Sequence, residues 1–203
     1  MSFQDIMLKI LPELEDGKYK PYVNGGGNLS VLNDFKLPIR SDYDDVRTRT
    51  NGTKYIHGGV DIYYYKIENG APIFLGPTNQ PENKHPRVYA PVSGTVLYAN
   101  EGSVSIMDAH GYIHTIMHMS DIPTDIKTAA DNRTSIVEGV EIGKMNNTGL
   151  QAPNNHIHVH YEITTHLNVG ERSRKINPEA FWNNYPTDTN SGYFTVNPDF
   201  LTP

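Results

Sequence analysis

His57 and Asp61 bracket three residues in the segment His57-Gly58-Gly59-Val60-Asp61. The two glycines and the β-prone run Ile62-Tyr63-Tyr64-Tyr65 argue against a helix, so the pair sits where a loop enters a strand. There an imidazole nitrogen and a carboxylate oxygen can meet one tetrahedral ion at about 2.0–2.2 Å. Alone, such a pair is as readily a surface accident. Support comes from His156-Ile157-His158-Val159-His160-Tyr161-Glu162. Strand side chains alternate between faces, which puts His156, His158, His160 and Glu162 on one side and Ile157, Val159 and Tyr161 on the other. Three imidazoles and a carboxylate make a poor core, because each buried polar group needs a partner. The bland alternative is a solvated face, although such a face draws on Lys, Thr and Glu rather than on repeated His. A third segment, Tyr112 to Ser120, closes a strand on His118 before a turn at Ser120-Asp121. A histidine at a strand end either reaches a substrate without holding metal or is structural.

The elements that must carry these groups are strands. The chain has 203 residues, 37% hydrophobic, with 17 Gly and 14 Pro, a mixture that suits a β-rich domain with many turns. Val88 to Tyr98 reads as strand, turn, strand. Ser103 to Asp108 and Tyr112 to His118 read as a hairpin turned at Ala109-His110-Gly111. Val137 to Gly143 and His156 to Thr164 supply further strands. Phe3, Ile6, Met7 and Ile10 recur at helical spacing. Asn177 before Pro178 caps a second short helix, and Gly25-Gly26-Gly27 marks a hinge or turn.

Composition excludes several chemistries. The net charge is −6 and the pI about 5.8, with no run of Lys or Arg, so nucleic acid is not an expected partner. The absence of cysteine removes disulfides, thiolate zinc sites and a cysteine nucleophile together. No apolar run approaches the roughly 18 residues a membrane span needs. The segment up to Lys20 lacks the basic start and uninterrupted apolar stretch of a secretory signal. Action outside the cytoplasm is therefore expected to depend on another delivery route, or on a longer parent chain.

Taken together, these pieces resemble the lysostaphin-type (LytM-like) zinc endopeptidases of bacterial cell walls. The resemblance rests on His57-x-x-x-Asp61, Ile116-Met117-His118-Met119 and His158-Val159-His160-Tyr161-Glu162, in the family's order. Tyr89 to Val96, Val137 to Gly143, Thr148-Gly149 and Ile176 to Pro178 add scaffold, so that the likeness runs from about residue 55 to 182. It implies a mainly β fold: an antiparallel β-sheet core with a substrate groove, long loops and short terminal helices. It implies one zinc ion on His57, Asp61 and His160, with His118 and His158 as catalytic histidines. His158 is the favoured base and His118 the favoured oxyanion stabiliser, although the two could exchange roles. The pair His156-His158 offers a competing register, disfavoured because only His160 is followed by an aromatic residue and Glu. His114, four residues before His118, falls on the same strand face and reads as structural. Tyr55 and Tyr63 flank the first motif as candidate oxyanion donors.

The implied activity is hydrolysis of peptide bonds in the stem or cross-bridge of bacterial peptidoglycan. The competing function is a catalytically silent wall-binding or amidase-activator relative. Expected partners are the peptidoglycan peptide and, for a phage lysin or injected effector, a delivery machinery or an immunity protein. The expected organisation is an N-terminal arm over residues 1–50, a peptidase domain over 51–182 and a tail over 183–203. Tyr64 to Pro86 and Pro123 to Ile136 depart from the family pattern as inserted loops, and in this fold loops shape the groove.

Overall fold

The computed structural model describes residues 1–14, 18–23, 43, 46–48, 51–75, 85–149, 157–165 and 175–184. Helix α1 (Phe3–Ile10) opens on a capping box: Ser2 Oγ accepts the Asp5 N–H at 3.3 Å, and the Ser2 N–H donates to Asp5 Oδ2 at 2.7 Å. Its apolar stripe of Phe3, Ile6, Met7 and Ile10 is buried, as the spacing predicts. Ten strands follow: β1 (Lys20–Val23), β2 (Val46–Thr48), β3 (Lys54–Ile56), β4 (Val60–Glu68), β5 (Ala71–Phe74), β6 (Arg87–Tyr89), β7 (Gly94–Asn100), β8 (Ser103–Met107), β9 (Tyr112–Met117) and β10 (Met119–Ser120). After helix α2 (Thr124–Asn132) come β11 (Ser135–Ile136), β12 (Glu141–Met145), β13 (Val159–Thr165), β14 (Lys175–Ile176) and helix α3 (Pro178–Asn183). Asn177 caps α3 as expected, its Oδ1 accepting from the Glu179 and Ala180 N–H groups.

The fold is mainly β, and every described strand pairing is antiparallel. The main sheet runs β1-β4-β13-β9-β8-β7-β11, with β14 on β13 and β5 on β4, beside a β10-β12-β6 sheet and a β2-β3 pair. Strand β13 matters most, because it lies between β4 and β9. One face of β13 presents Val159, Tyr161 and Ile163 to a core that also holds Ile62, Ile106 and Ile116. That core takes in Phe3, Ile6, Met7, Ile10, Leu11 and Tyr19 as well, and β1 pairs β4, so the first helix and first strand belong to the same interior.

The helix and hairpin content of the two departures differs from the expectation. Tyr64 to Pro86 is not a loop from its start. β4 continues to Glu68 and turns back into β5 through Asn69 (φ 51°) and Gly70 (φ 76°). Both turn residues are left-handed, the geometry that an Asn-Gly hairpin turn supplies. Pro123 to Ile136 is mostly helix α2, which buries Ile126 and Ala129 and lies against β7. Two buried positions and no side-chain cap leave little for a helical pattern to show. Strand β12 starts at Glu141 rather than Val137, and β13 at Val159 rather than His156, with His158 bridging only to Asn146. Gly25 to Gly27, His156 and residues 185–203 of the expected tail lie outside the described residues.

Behind β13 runs a buried polar chain. Trp182 Nε1–H donates to the Tyr161 hydroxyl at 2.8 Å, and that hydroxyl lies 2.8 Å from His114 Nδ1. His114 Nε2 in turn lies 3.3 Å from Asp108 Oδ2. Proton order follows if His114 carries its proton on Nε2: indole to phenol, phenol to imidazole, imidazole to carboxylate. His114 is thus structural, consistent with its place in the sequence. Tyr161→Phe removes the hydroxyl at the middle of this chain and is expected to destabilise the protein by about 1–3 kcal/mol. The expected readout is a lower urea midpoint with an unchanged m-value.

Candidate metal centre and catalytic groove

Register alone brings the chain-distant groups together. His160 on β13 stands directly opposite Asp61 on β4 and opposite Met117 on β9, the residue before His118. Alternation sends His160 and Glu162 to the face away from Tyr161 and Ile163. His57 arrives through Gly58-Gly59. A Cβ on Gly59 would lie 2.5 Å from the Tyr161 carbonyl oxygen and 2.7 Å from His160 Nε2, so only glycine lets the loop pass this close to β13.

Three donor atoms converge. His57 Nε2 lies 2.8 Å from His160 Nδ1 and 3.2 Å from Asp61 Oδ1, and His160 Nδ1 lies 2.7 Å from Asp61 Oδ1. Among the described residues this is the group of His, Asp and Glu side chains with the spacing to hold a metal ion, and all three members are buried. Donors around a tetrahedral zinc ion at about 2.0–2.2 Å stand about 3.3–3.6 Å apart. Two edges of the observed triangle, 2.7 and 2.8 Å, are shorter, so those donors spread by about half an ångström or more to admit the ion. Two nitrogens and one carboxylate oxygen are an appropriate set for zinc.

Each ligand candidate is held from behind. His160 Nε2–H donates to Glu162 Oε1 at 2.9 Å, which fixes Nδ1 as the nitrogen facing the triangle. Lys175 Nζ donates to the same Glu162 oxygen at 2.5 Å. The distal oxygen of Asp61, Oδ2, accepts from Arg47 Nη2 at 2.8 Å. Burial would raise the Asp61 carboxyl, but hydrogen bonds from His160 and His57 and the nearby His158 hold it well below the usual carboxylate range. Burial opposes charge on His160 too, yet its bonds to Asp61 and Glu162 raise its pKa. Glu162 stays below its usual range despite burial, through His160 and Lys175.

His118 and His158 flank the triangle. Their ring centroids are 4.9 Å apart, and His118 is 5.9 Å from the His160 ring. His158 Nε2 stands 3.7 Å from Asp61 Oδ1, outside the triangle, and its ring stacks on Tyr63 at 4.9 Å. His118 does not share a strand face with His114. His114 points into the core, and continued alternation would send His118 after it, but φ of +67° at His118 breaks the strand and turns the ring toward His158 and His160. Left-handed backbone in a non-glycine residue is uncommon and clusters at functional sites.

Two features settle the protonation of His118. Its Nδ1 lies 2.9 Å from the Thr148 carbonyl oxygen, which can only accept, so Nδ1 carries the proton. Burial and the neighbouring His158 push its pKa down to about 4. At neutral pH the ring is therefore neutral with a lone pair on Nε2. That atom can take a proton, and the expectation left open which of His118 and His158 does so. Arg47 and Lys175 carry no signal in the sequence, and Thr148 enters there only as scaffold; the fold brings all three here.

The model of peptidase family M23 matches residues 77–178, half of the chain. The chain belongs to peptidase family M23. The match includes His118, His158 and His160, while His57 and Asp61 lie before it, Asp61 joining the site through the β4–β13 register and His57 through the Gly58-Gly59 loop. Membership makes the chain a relative of peptidases. No curated protein matches it. Among solved structures, a mutant catalytic domain of the prophage-encoded M23 protein EnpA from Enterococcus faecalis is 19% identical over 68% of this chain and 86% of that one, with a TM-score of 0.42. A chain of the SpoIIIAH–SpoIIQ complex is 17% identical over 84% and 97%, with a TM-score of 0.46. A zinc-containing peptidase from Vibrio cholerae is 17% identical over 60% and 33%, with a TM-score of 0.38. No described helix is long and apolar enough to cross a membrane.

Proposed function

We propose that this chain is a zinc-dependent endopeptidase that hydrolyses peptide bonds in bacterial peptidoglycan, in the stem or the cross-bridge. One observation carries the reading: His57 Nε2, Asp61 Oδ1 and His160 Nδ1 face one another within 3.2 Å, with two further imidazoles beside them. Three protein ligands leave a coordination position open, and zinc bound there supplies an acidified water and polarises the scissile carbonyl.

The chain's own residues do the rest. His118, neutral and protonated on Nδ1, offers Nε2 as the acceptor for the water proton. Thr148 holds that tautomer through its carbonyl. His158, stacked on Tyr63, is placed to donate a hydrogen bond to the developing oxyanion, and His118 returns its proton to the leaving amine. Asp61 and His160 remain as ligands, kept in orientation by their outer partners. On this reading the activity belongs at the bacterial wall, reached by a phage or secretion route or as part of a longer parent chain.

Purified peptidoglycan incubated with the protein is expected to release new amino termini. A chelator should stop the release and added zinc should restore it. Mass spectrometry of fragments from two chemically different walls identifies the bond. Intact wall in both cases, with zinc bound, would leave the chain as a binding relative.

A further inference from the structure

We infer that Arg47 is a positioning residue of the metal centre, holding Asp61 so that only Oδ1 is offered to the ion. This rests on the zinc reading above and extends it to a segment far outside the family match, residues 77–178. The Arg47 guanidinium reaches Asp61 from the two-stranded β2–β3 unit, where Arg47 pairs with Tyr55 and Val46 with Ile56. On β2 the side chains alternate: Val46 and Thr48 are exposed, whereas Arg47 is half-buried toward β4. Nη2 donates to Asp61 Oδ2 at 2.8 Å while Oδ1 faces the two imidazole nitrogens, so the two oxygens have separate duties.

Two opposing effects fix the direction of the outcome. A guanidinium draws charge from the carboxylate and repels a cation, which weakens ligation. It also pairs an oxygen that water scarcely reaches, since the Asp61 side chain is 2% exposed, and it stops the carboxylate from rotating. Burial makes the second effect the larger one, because an unpaired, nearly buried carboxylate oxygen would turn toward the ion or back onto the histidines. Outer partners of this kind typically contribute 10–100-fold in metal affinity. The parallel contact of Lys175 with Glu162 gives His160 the same support, so each carboxylate of the centre is matched by one cation.

The test compares wild type, Arg47→Met, Arg47→Gln and Arg47→Lys. Zinc affinity is measured by competition with a chromophoric chelator, together with thermal unfolding of the metal-stripped proteins and the visible spectrum of the cobalt-loaded ones. Arg47→Met is expected to weaken zinc binding about 10–100-fold. Arg47→Lys should recover part of the loss. Arg47→Gln, which keeps a donor without the charge, should fall between them and serves if the Met variant does not fold. The cobalt bands of Arg47→Met should weaken, since a carboxylate freed to bind through both oxygens raises the coordination number. Zinc affinity in Arg47→Met equal to or tighter than wild type, with the wild type binding zinc normally, overturns this inference alone. A wild type that takes up no zinc overturns the metal reading, and this inference with it.

Discussion

His160→Ala is expected to abolish stoichiometric zinc uptake, whereas His158→Ala keeps the metal and loses turnover by about 10²–10⁴-fold, the range general acid–base and hydrogen-bonding groups supply. The two residues are neighbours on one motif, so the contrast is demanding. It follows from position. His160 Nδ1 is 2.7 Å from Asp61 Oδ1 and 2.8 Å from His57 Nε2, and its far nitrogen is taken by Glu162. Removing it leaves two ligands and a buried carboxylate without its main partner. His158 Nε2 stands 3.7 Å from the same Asp61 oxygen, and its ring is packed between Tyr63 and His118. Metal content by atomic absorption and rates on purified peptidoglycan separate the outcomes. Equal zinc loss in both variants would restore the earlier register, in which His158 is a ligand.

Strand alternation made most of this site legible. His160 and Glu162 had to share a face once Val159 and Tyr161 were assigned to the core, and the β13 register then set His160 opposite Asp61. The hairpin of β8 and β9 was equally plain from its turn residues and apolar periodicity. His118 was not plain. Alternation from His114 gives the wrong face, because one left-handed residue reverses the direction of the side chain and no residue type announces it. Its tautomer depends on a backbone carbonyl thirty residues away at Thr148, which sequence cannot place. Arg47 was hidden for a related reason: an arginine in a short polar strand reads as solvated until the strand is docked beside β4. Helix α2 leaves little trace in the sequence because its buried face is two residues wide, whereas the Asn69-Gly70 dipeptide is a strong hairpin signal.

His118→Ala is expected to lower kcat on peptidoglycan by about 10²–10⁴-fold while zinc affinity stays within a few-fold of wild type, since the ring lies beside the ligand triangle, 5.9 Å from the His160 ring, and is not one of its three members. The pH dependence sharpens the claim. The neutral ring is the form that accepts a proton, and with its pKa pushed from 6.5 down to about 4 it remains neutral throughout the mildly acidic range. Loss of rate between about pH 6.5 and 5 therefore originates elsewhere, in protons competing for the ligand set, where His160 has a raised pKa from Asp61 and Glu162. Excess zinc at pH 5.5 should restore much of the wild-type rate and none of the His118→Ala deficit. The same depressed pKa has a signed effect on stability. An unfolded chain protonates this histidine near 6.5 while the fold resists until about 4, so acid penalises the native state across that window. His118→Ala removes the penalty, and urea midpoints of the metal-stripped proteins should converge at neutral pH less than at pH 5, where the variant gains on wild type. A rate at pH 5.5 that ignores added zinc would move the acid limb onto His118 itself and contradict its neutral state.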